Sequence, residues 1–330
     1  MLIPTVGLSA ESISELKAKL ASNPQRISVR QALAAEYSKK KLYNEVIDIL
    51  SPFSNEIDED SLLTLSAAYR EMGDNINEIR ILQFYSEKSP DRFRPYFLLA
   101  QAYSKNNQLD EAAQNYRKSI ELAPKHLPSF EGLLNIFSEQ KQNYESRTLI
   151  NDMARIFGMK KEWQNQLCRL LAIDNFIDDA LSACKKAISQ QPSHPDNHIY
   201  LANTYYNQDN FVAAERIFST AARQFPKSEF VQYAAGEYFL NQKKYPIAIR
   251  YLKQAIKNNS ESMRGHLTLA LALFEDKKYA EGLPHFEKSC KLDKTKETLT
   301  AIKNSAAKLR QSNESEHAKN YDRVAALCQP

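Results

Sequence analysis

A pattern of residue types that returns every 34 positions is the strongest constraint on what this 330-residue chain can fold into. The clearest copy spans residues 200–226, where apolar, small and turn-forming residues stand at fixed offsets: Leu201, Ala202, Tyr205, Phe211, Ala214, Phe218, Ala221 and Pro226. A constant period of this length is typical of arrays of similar units, because each unit covers its apolar face with its neighbours. The sequence therefore predicts a repeat array.

The neighbouring copies carry residues of the same class at the same positions, although two copies depart from the pattern. Seven copies keep one phase from residue 59 onward, and an eighth at the front is short and two residues out of phase. The fourth copy (127–160) has Leu134 and Ser146 where two small residues normally meet, and Gly158 in place of the proline. These departures predict that the two copies pack differently from the rest.

The spacing within one copy predicts two helices. The first three apolar residues stand at i, i+1 and i+4, and those of the second half at i, i+4 and i+7, so each set lies on one helix face. A polar turn separates the halves, and the proline ends the copy because it cannot continue a helix. Each copy is therefore predicted to form an antiparallel helix pair whose small residues allow a close approach.

This pattern resembles the tetratricopeptide repeat, with about eight copies over residues 27–296. The resemblance implies an all-α fold, a right-handed superhelical solenoid of antiparallel helix pairs with capping helices. It also implies a scaffold or adaptor for protein–protein interaction, in which the first helix of each pair lines a concave groove that binds a peptide or partner segment.

The remaining residues are expected to flank the array. Residues 1–26 are predicted to hold an N-terminal segment and a capping helix through Ile13, Leu16 and Leu20. Residues 297–311 are predicted to form a second amphipathic helix that caps the array. Residues 312–330 are interpreted as a tail, with a linker over 312–320 and a short last helix that is either free or folded back on the array. A polar-backed helix at each end keeps such an array in solution.

Composition and charge limit the classes of partner and the cellular locations that we expect. The 44 basic and 40 acidic residues leave a net charge of +4, which gives no reason to expect a nucleic-acid partner. No stretch of 18 apolar residues occurs, so no integral membrane segment is predicted. We expect a cytoplasmic location, with the periplasm or export as the alternative if residues 1–10 are a signal-peptide remnant.

The sequence contains no catalytic constellation. The motifs HExxH, GxGxxG, GxxxxGK[ST] and GxSxG do not occur, so we predict no enzyme, no cofactor and no metal site. His194 and His198 are four residues apart, but Pro195 between them disfavours a helical metal pair.

The four cysteines, Cys168, Cys184, Cys290 and Cys328, form no CxxC pair, so structural zinc is not predicted. Cys168 and Cys184 occupy positions that face each other within one helix pair. Two buried structural thiols are the simpler interpretation, and a disulfide between them is the alternative if the chain is exported.

The groove is predicted to be lined by first-helix residues that the packing does not use. Aromatic side chains offer contact area at low entropic cost, and amides bond a peptide backbone. The predicted partner-binding residues are Arg94, Phe97, Gln101, Asn135, Asn165, Arg169, Tyr200, Asn203, Tyr206, Asn207, Tyr233, Glu237, Asn241 and Arg264. The alternative for the tyrosines is packing against neighbouring helices.

The leading functional hypothesis is a non-enzymatic scaffold that binds a protein or peptide, and the Asn-, Gln- and Lys-rich composition suggests the assembly of a bacterial multiprotein complex. A self-assembling structural protein or homo-oligomer is the alternative, and a peptide-sensing regulator ranks third.

Lysines recur before the second helices, as at Lys243 and Lys277. The small net charge of the chain favours solvated turns over a basic binding rim at these lysines.

Overall fold

The computed structural model describes residues 12–293 and 295–328. Over these residues the chain forms 19 α-helices and one 3-10 helix, with no strand. It divides into two compact units, unit 1 (Met1–Gly158) and unit 2 (Met159–Pro330). The predicted all-α architecture of packed helix pairs is confirmed.

In unit 1, α1 packs on α2, and each later helix packs on its neighbour in sequence. Leu16 of α1 is buried against α2, where the sequence predicted a capping helix. The helices are α1 (Ile13–Ser22), α2 (Ile27–Lys39), α3 (Tyr43–Leu50), α4 (Glu59–Glu71), α5 (Asn75–Lys88), α6 (Phe93–Lys105), α7 (Leu109–Leu122), α8 (Leu127–Glu139) and α9 (Asn143–Phe157), with the 3-10 helix at Ser51–Phe53.

Unit 2 holds five helix pairs. Its first helices also contact one another along the stack: α10 contacts α12, α12 contacts α14, and α14 contacts α16. The helices are α10 (Lys161–Ile173), α11 (Ile177–Gln190), α12 (Pro195–Asn207), α13 (Phe211–Gln224), α14 (Glu229–Asn241), α15 (Tyr245–Asn258), α16 (Met263–Glu275), α17 (Tyr279–Leu292), α18 (Lys296–Gln311) and α19 (Ser315–Leu327).

The helix starts reproduce the sequence period. From α4 onward, the first helices begin at residues 59, 93, 127, 161, 195, 229 and 263, and the second helices at 75, 109, 143, 177, 211, 245 and 279. The predicted short first copy is α2–α3, where α3 has only eight residues before the 3-10 helix.

The turn between the two helices of a pair has one conformation throughout. In α14, the backbone N–H of Lys243 donates to Leu240 O and that of Lys244 to Phe239 O, both at 2.9 Å. This is a Schellman motif, which places one residue in the left-handed region. The residues with positive φ in these turns are Lys41, Gly73, Asn107, Lys141, Asn175, Asp209, Lys243, Lys277 and Asn313. Two of the recurring lysines, Lys243 and Lys277, are thus turn residues.

Small residues at the helix crossing set how closely each pair packs. Ala202 and Ala214, from α12 and α13, are fully buried, as are Ala100 and Ala112 three periods earlier. At Gly236 of α14 a methyl group would lie 2.5 Å from Leu252 Cγ of α15. The crossing therefore has no room for a larger side chain at this position.

Two pairs break the small-residue rule. Glu78 of α5 stands where the other copies in the 34-residue phase carry Ala, Gly or Ser; it is 3% exposed, and its Oε1 lies 4.0 Å from an Arg70 nitrogen. Burial raises the pKa of this carboxyl above its ordinary value. In the fourth pair, Leu134 fills the small position of α8 and is buried.

A disulfide joins α10 and α11. Cys168 and Cys184 are fully buried as predicted, but they are bonded to each other, and the interpretation as two thiols is wrong. The reason is the close crossing, which brings their Cα atoms to 4.6 Å, within the 4.4–6.8 Å that a disulfide spans. Closing a loop of this size stabilises a fold by about 3 kcal/mol.

The C-terminal segment differs from the interpretation as a linker and a tail. Helix α19 begins at Ser315, inside the stretch read as a linker, and it packs on both α17 and α18. Tyr321 is 1% exposed and donates a hydrogen bond to Tyr279 O at 3.1 Å. A second disulfide joins Cys290 of α17 to Cys328 at the end of α19. The last helix pair is therefore an integral part of unit 2.

The crossing of α14 and α15 gives a stability prediction. We expect Gly236→Ala to lower the free energy of unfolding by about 1–3 kcal/mol, because overpacking outweighs the roughly 1 kcal/mol that Ala gains in helix propensity. Urea titration followed by circular dichroism measures the change. Leu252→Ala makes room at this contact, so Gly236→Ala should cost less in that background; equal costs would contradict the packing argument.

Candidate functional site

The predicted partner-binding residues all lie on first helices of the pairs. In unit 1, Arg94, Gln101 and Asn135 are exposed on α6 and α8. Phe97 is half-buried, because its ring packs edge-on against His126 at a centroid distance of 4.7 Å. On this unit the predicted residues are therefore mainly polar and open to solvent.

In unit 2 the predicted residues fall on α10, α12, α14 and α16, which contact one another in that order. Asn203, Asn207, Glu237, Asn241 and Arg264 are exposed. We call the surface that carries them the first-helix face of unit 2. It is a mixed surface of amides and single charges of both signs.

Tyr233 connects two helices of this face. Its hydroxyl donates to Glu237 Oε1 at 3.1 Å on its own helix and lies 3.4 Å from Thr268 Oγ1 on α16. Burial raises the pKa of Tyr233 above its ordinary value, so the hydroxyl keeps its proton. Tyr233 is therefore a fixed, partly exposed ring on the face.

Tyr206 has a different environment. Its ring packs against Phe211 at 5.5 Å and against Tyr238 at 5.8 Å, both nearly edge-on. Neighbouring Asn207 donates to Asn175 Oδ1 at 3.0 Å. At this end of α12 the side chains join adjacent turns and helices, which is the packing role considered as the alternative for the tyrosines.

A polar cavity of about 440 Å³ lies on this face between α10 and α12, and we call it the amide pocket. It brings together three of the predicted residues, Asn165, Arg169 and Tyr200. The complete lining is Glu162, Asn165, Gln166, Arg169, Gln191, His194, Asp196, Asn197 and Tyr200.

A chain of amides forms the wall of the amide pocket. Asn197 Nδ2 donates to Asn165 Oδ1 at 2.8 Å, and Asn165 Nδ2 donates to Gln191 Oε1 at 2.7 Å. Asn197 is fully buried, and its Oδ1 has no hydrogen-bond partner among the described residues. The pocket therefore presents at least one buried acceptor that the protein leaves unused.

Three family models described as tetratricopeptide repeat match the chain, over residues 93–126, 177–235 and 233–296. The first range begins at the start of α6, and the last ends at the start of α18. Over these matched residues the chain therefore contains tetratricopeptide repeats.

The known proteins that the chain is similar to are also repeat proteins. YpiA, a TPR repeat-containing protein of Bacillus subtilis (strain 168), is 24% identical over 144 residues, 43% of this chain and 34% of the relative. The match thus spans about a third of that relative's own length.

Among solved structures, a tetratricopeptide repeat protein from Parabacteroides merdae ATCC 43184 has a TM-score of 0.56 at 12% identity, covering 82% of this chain and 98% of that chain. The APC/C hetero-tetramer Cut9–Hcn1 has a TM-score of 0.52 at 16% identity, covering 88% and 58%. At these identities the likeness shows the fold alone.

Sequence reasoning missed Asn197 and Gln191. A signal for Asn197 is present in the tetratricopeptide repeat register, since residues 34 positions before and after it are Trp163 and Val231, both buried and apolar. An amide in a slot that neighbouring copies fill with apolar residues indicates a special role. Gln191 gives no such signal, because it lies in the turn after α11.

A second cavity lies in unit 1 at the irregular fourth repeat. Its volume is about 320 Å³, and its lining is mainly apolar. The lining residues are Arg117, Ile120, Phe130, Leu133, Phe137, Tyr144, Glu145, Thr148, Leu149 and Asp152.

The described residues contain no cluster of three metal-ligating side chains and no helix long and apolar enough to span a membrane. Two histidines of the last repeat do meet: His266 Nδ1 and His285 Nδ1 are 2.9 Å apart. His266 Nε2 lies 3.2 Å from Ser260 O and must donate to that carbonyl. In the neutral pair, His285 therefore donates to His266.

The histidine pair predicts a loss of stability in mild acid. Burial lowers the pKa of both His266 and His285, and each also faces a lysine, Lys288 or Lys253, while Glu261 and Glu281 act in the opposite direction. Since the folded state takes up protons less readily than the unfolded chain, the stabilisation is complete above about pH 6.5 and declines below it.

We therefore expect the difference in free energy of unfolding between the wild type and His285→Gln to shrink from pH 7.5 to pH 5. The slope is at most about 1.4 kcal/mol per pH unit for each excluded proton. Urea titrations at several pH values measure it. A difference that stays constant or grows toward low pH would contradict the neutral pair.

Proposed function

We propose that this tetratricopeptide repeat protein is a non-enzymatic scaffold that binds a peptide or an extended segment of a protein partner on the first-helix face of unit 2. The observation that supports the proposal is the amide pocket with its unused buried acceptor at Asn197, bordered by exposed side chains of α12 and α14. Repeat arrays bind extended segments through such side chains, with amides for the main chain and aromatic rings for contact area.

The proposal includes the organisation of the chain. Residues 27–296 form the repeat array, and α1 and α18 cover its ends, since an array needs polar-backed terminal helices. The Bacillus relative and the composition favour a bacterial complex as the setting of the scaffold.

A peptide selection tests the proposed face. We expect 12-residue peptides selected from a random display library to bind the immobilised protein, and Asn203→Arg/Glu237→Arg to weaken the selected peptides at least about tenfold, because bulky charges then block the face. Isothermal titration measures the dissociation constants.

Val212→Arg is the matched control, because Val212 is 84% exposed on the second helix α13. Its affinity should equal that of the wild type. If Val212→Arg weakens binding and the face variant does not, the face is wrong. If no peptide is selected and the mass in sedimentation velocity rises with concentration, self-assembly replaces the scaffold proposal.

The disulfides support a finer proposal for the compartment. All four cysteines of the sequence are paired, and disulfides persist in oxidising compartments such as the bacterial periplasm. We propose that the protein works in such a compartment, the alternative to the cytoplasmic location expected from the sequence.

Source cells are lysed directly in denaturant with an alkylating reagent, and the protein is analysed by mass spectrometry without reduction. This measures whether the cysteines are bonded in the cell. We expect two cross-linked peptide pairs, Cys168 with Cys184 and Cys290 with Cys328. If all four cysteines are alkylated, the protein resides in a reducing compartment and folds there without the disulfides.

A further inference from the structure

The amide pocket contains more hydrogen-bond acceptors than the protein uses. Asn197 Oδ1 is buried without a partner, while the two N–H groups of the amide chain are spent on Asn165 and Gln191. A buried acceptor without a donor costs free energy, and an apolar residue such as Val231 fills the same slot in the next repeat without that cost. The amide is therefore suited to a donor that comes from outside the chain.

His194 supplies a second unused acceptor at the same end of the pocket. It is the residue before α12, and its Nδ1 is buried without a partner among the described residues. When the proton is on Nε2, Nδ1 is an acceptor. Asn197 and His194 are three residues apart, so their free atoms belong to the same turn of chain.

Two carboxylates stand at this end of the pocket. Asp196 and Glu162 lie in the first turns of α12 and α10, and neither makes a hydrogen bond or an ion pair to another described residue. Acidic residues in a first helical turn also stabilise the helix, so their presence alone does not define a site. Together with the two buried acceptors, they make this end selective for a positively charged donor.

The one cation of the lining lies at the other end. Arg169 follows Glu162 by seven residues on α10, which is about 10 Å along a helix axis. It lies near Tyr200. Burial and the charge of Asp196 raise the pKa of Tyr200, and the charge of Arg169 lowers it. By backbone position, the lining is therefore acidic toward the starts of α10 and α12 and basic further along α10.

We propose that the acidic end of the amide pocket binds a cationic side-chain group of a partner peptide, a guanidinium or an ammonium, with its N–H groups donated to Asn197 Oδ1 and His194 Nδ1. This inference rests on the proposed function and specifies what the face recognises: a basic residue in the bound segment. Charge-assisted hydrogen bonds in a partly buried pocket give both affinity and discrimination.

Small capped amino acids test the pocket independently of any long peptide. N-acetyl-L-arginine amide is titrated into the full-length protein, beside N-acetyl-L-citrulline amide, which has nearly the same shape without the charge. We expect capped arginine to bind at least about fivefold more tightly than capped citrulline, as observed by NMR titration. Equal affinities for the two compounds would overturn the proposal.

Three variants locate the binding group. Asn197→Val, which installs the residue type of the next repeat, and Asp196→Asn should each weaken capped arginine by at least about threefold. Arg169→Gln removes a charge of the same sign as the ligand from the lining and should increase the affinity for capped arginine. A loss of binding in Arg169→Gln with no effect of Asn197→Val, together with preference for capped glutamate, would reverse the assigned polarity and refute the proposal.

Further measurements identify the chemical group that binds and separate the scaffold function from the basic-residue pocket. Capped lysine amide distinguishes an ammonium from a guanidinium, and glycinamide represents the free N-terminus of a chain; a preference for glycinamide over both capped side chains would refute a side-chain ligand. If selected peptides bind the face but are insensitive to Asn197→Val, the scaffold function stands and the basic-residue pocket fails. If capped arginine binds but no peptide is selected, the pocket stands and the scaffold function fails.

Discussion

The close crossing of two helices at small residues is the interaction on which the rest of this protein depends. Ala202 against Ala214, and the equivalent pairs in the other regular repeats, let two backbones approach until their neighbouring large side chains interdigitate. A single pair leaves one side of its apolar surface uncovered, so the next pair must pack there. Because every helix pair packs on the next in the same way, the same residue types recur in the sequence every 34 positions.

The same crossing explains the positions where the chain departs from its pattern. Cys168 occupies a small slot, and the short distance across the pair allows its bond to Cys184. Where the slot holds Leu134, a large apolar side chain is buried in the fourth repeat. Where it holds Glu78, a carboxylate is buried against Arg70. Each irregularity is therefore a local change in how closely two helices approach.

Packing and recognition use different surfaces of the first helices. In α12, Ala202 is buried where the helix crosses α13, while Asn203 at the next position is exposed. The amide pocket arises where this division is incomplete, because Asn197 lies on the buried side and yet keeps an unused polar atom. Asn197 Nδ2 already bonds Asn165, so the unsatisfied Oδ1 is the atom left for a donor from a partner. That is the reason for placing recognition between α10 and α12.

The sequence by itself determined the helix pairs, their phase and the helices that hold the candidate residues, because those depend on short-range periodicity that each repeat restates. It identified Asn165, Arg169 and Tyr200 by their position on first helices, but not that Asn197 and Gln191 join them, since that depends on side chains meeting across two repeats. The tertiary structure alone decided the bond between Cys290 and Cys328 and the docking of α19. Such contacts join residues far apart in the chain, and no local pattern specifies which distant surfaces will meet.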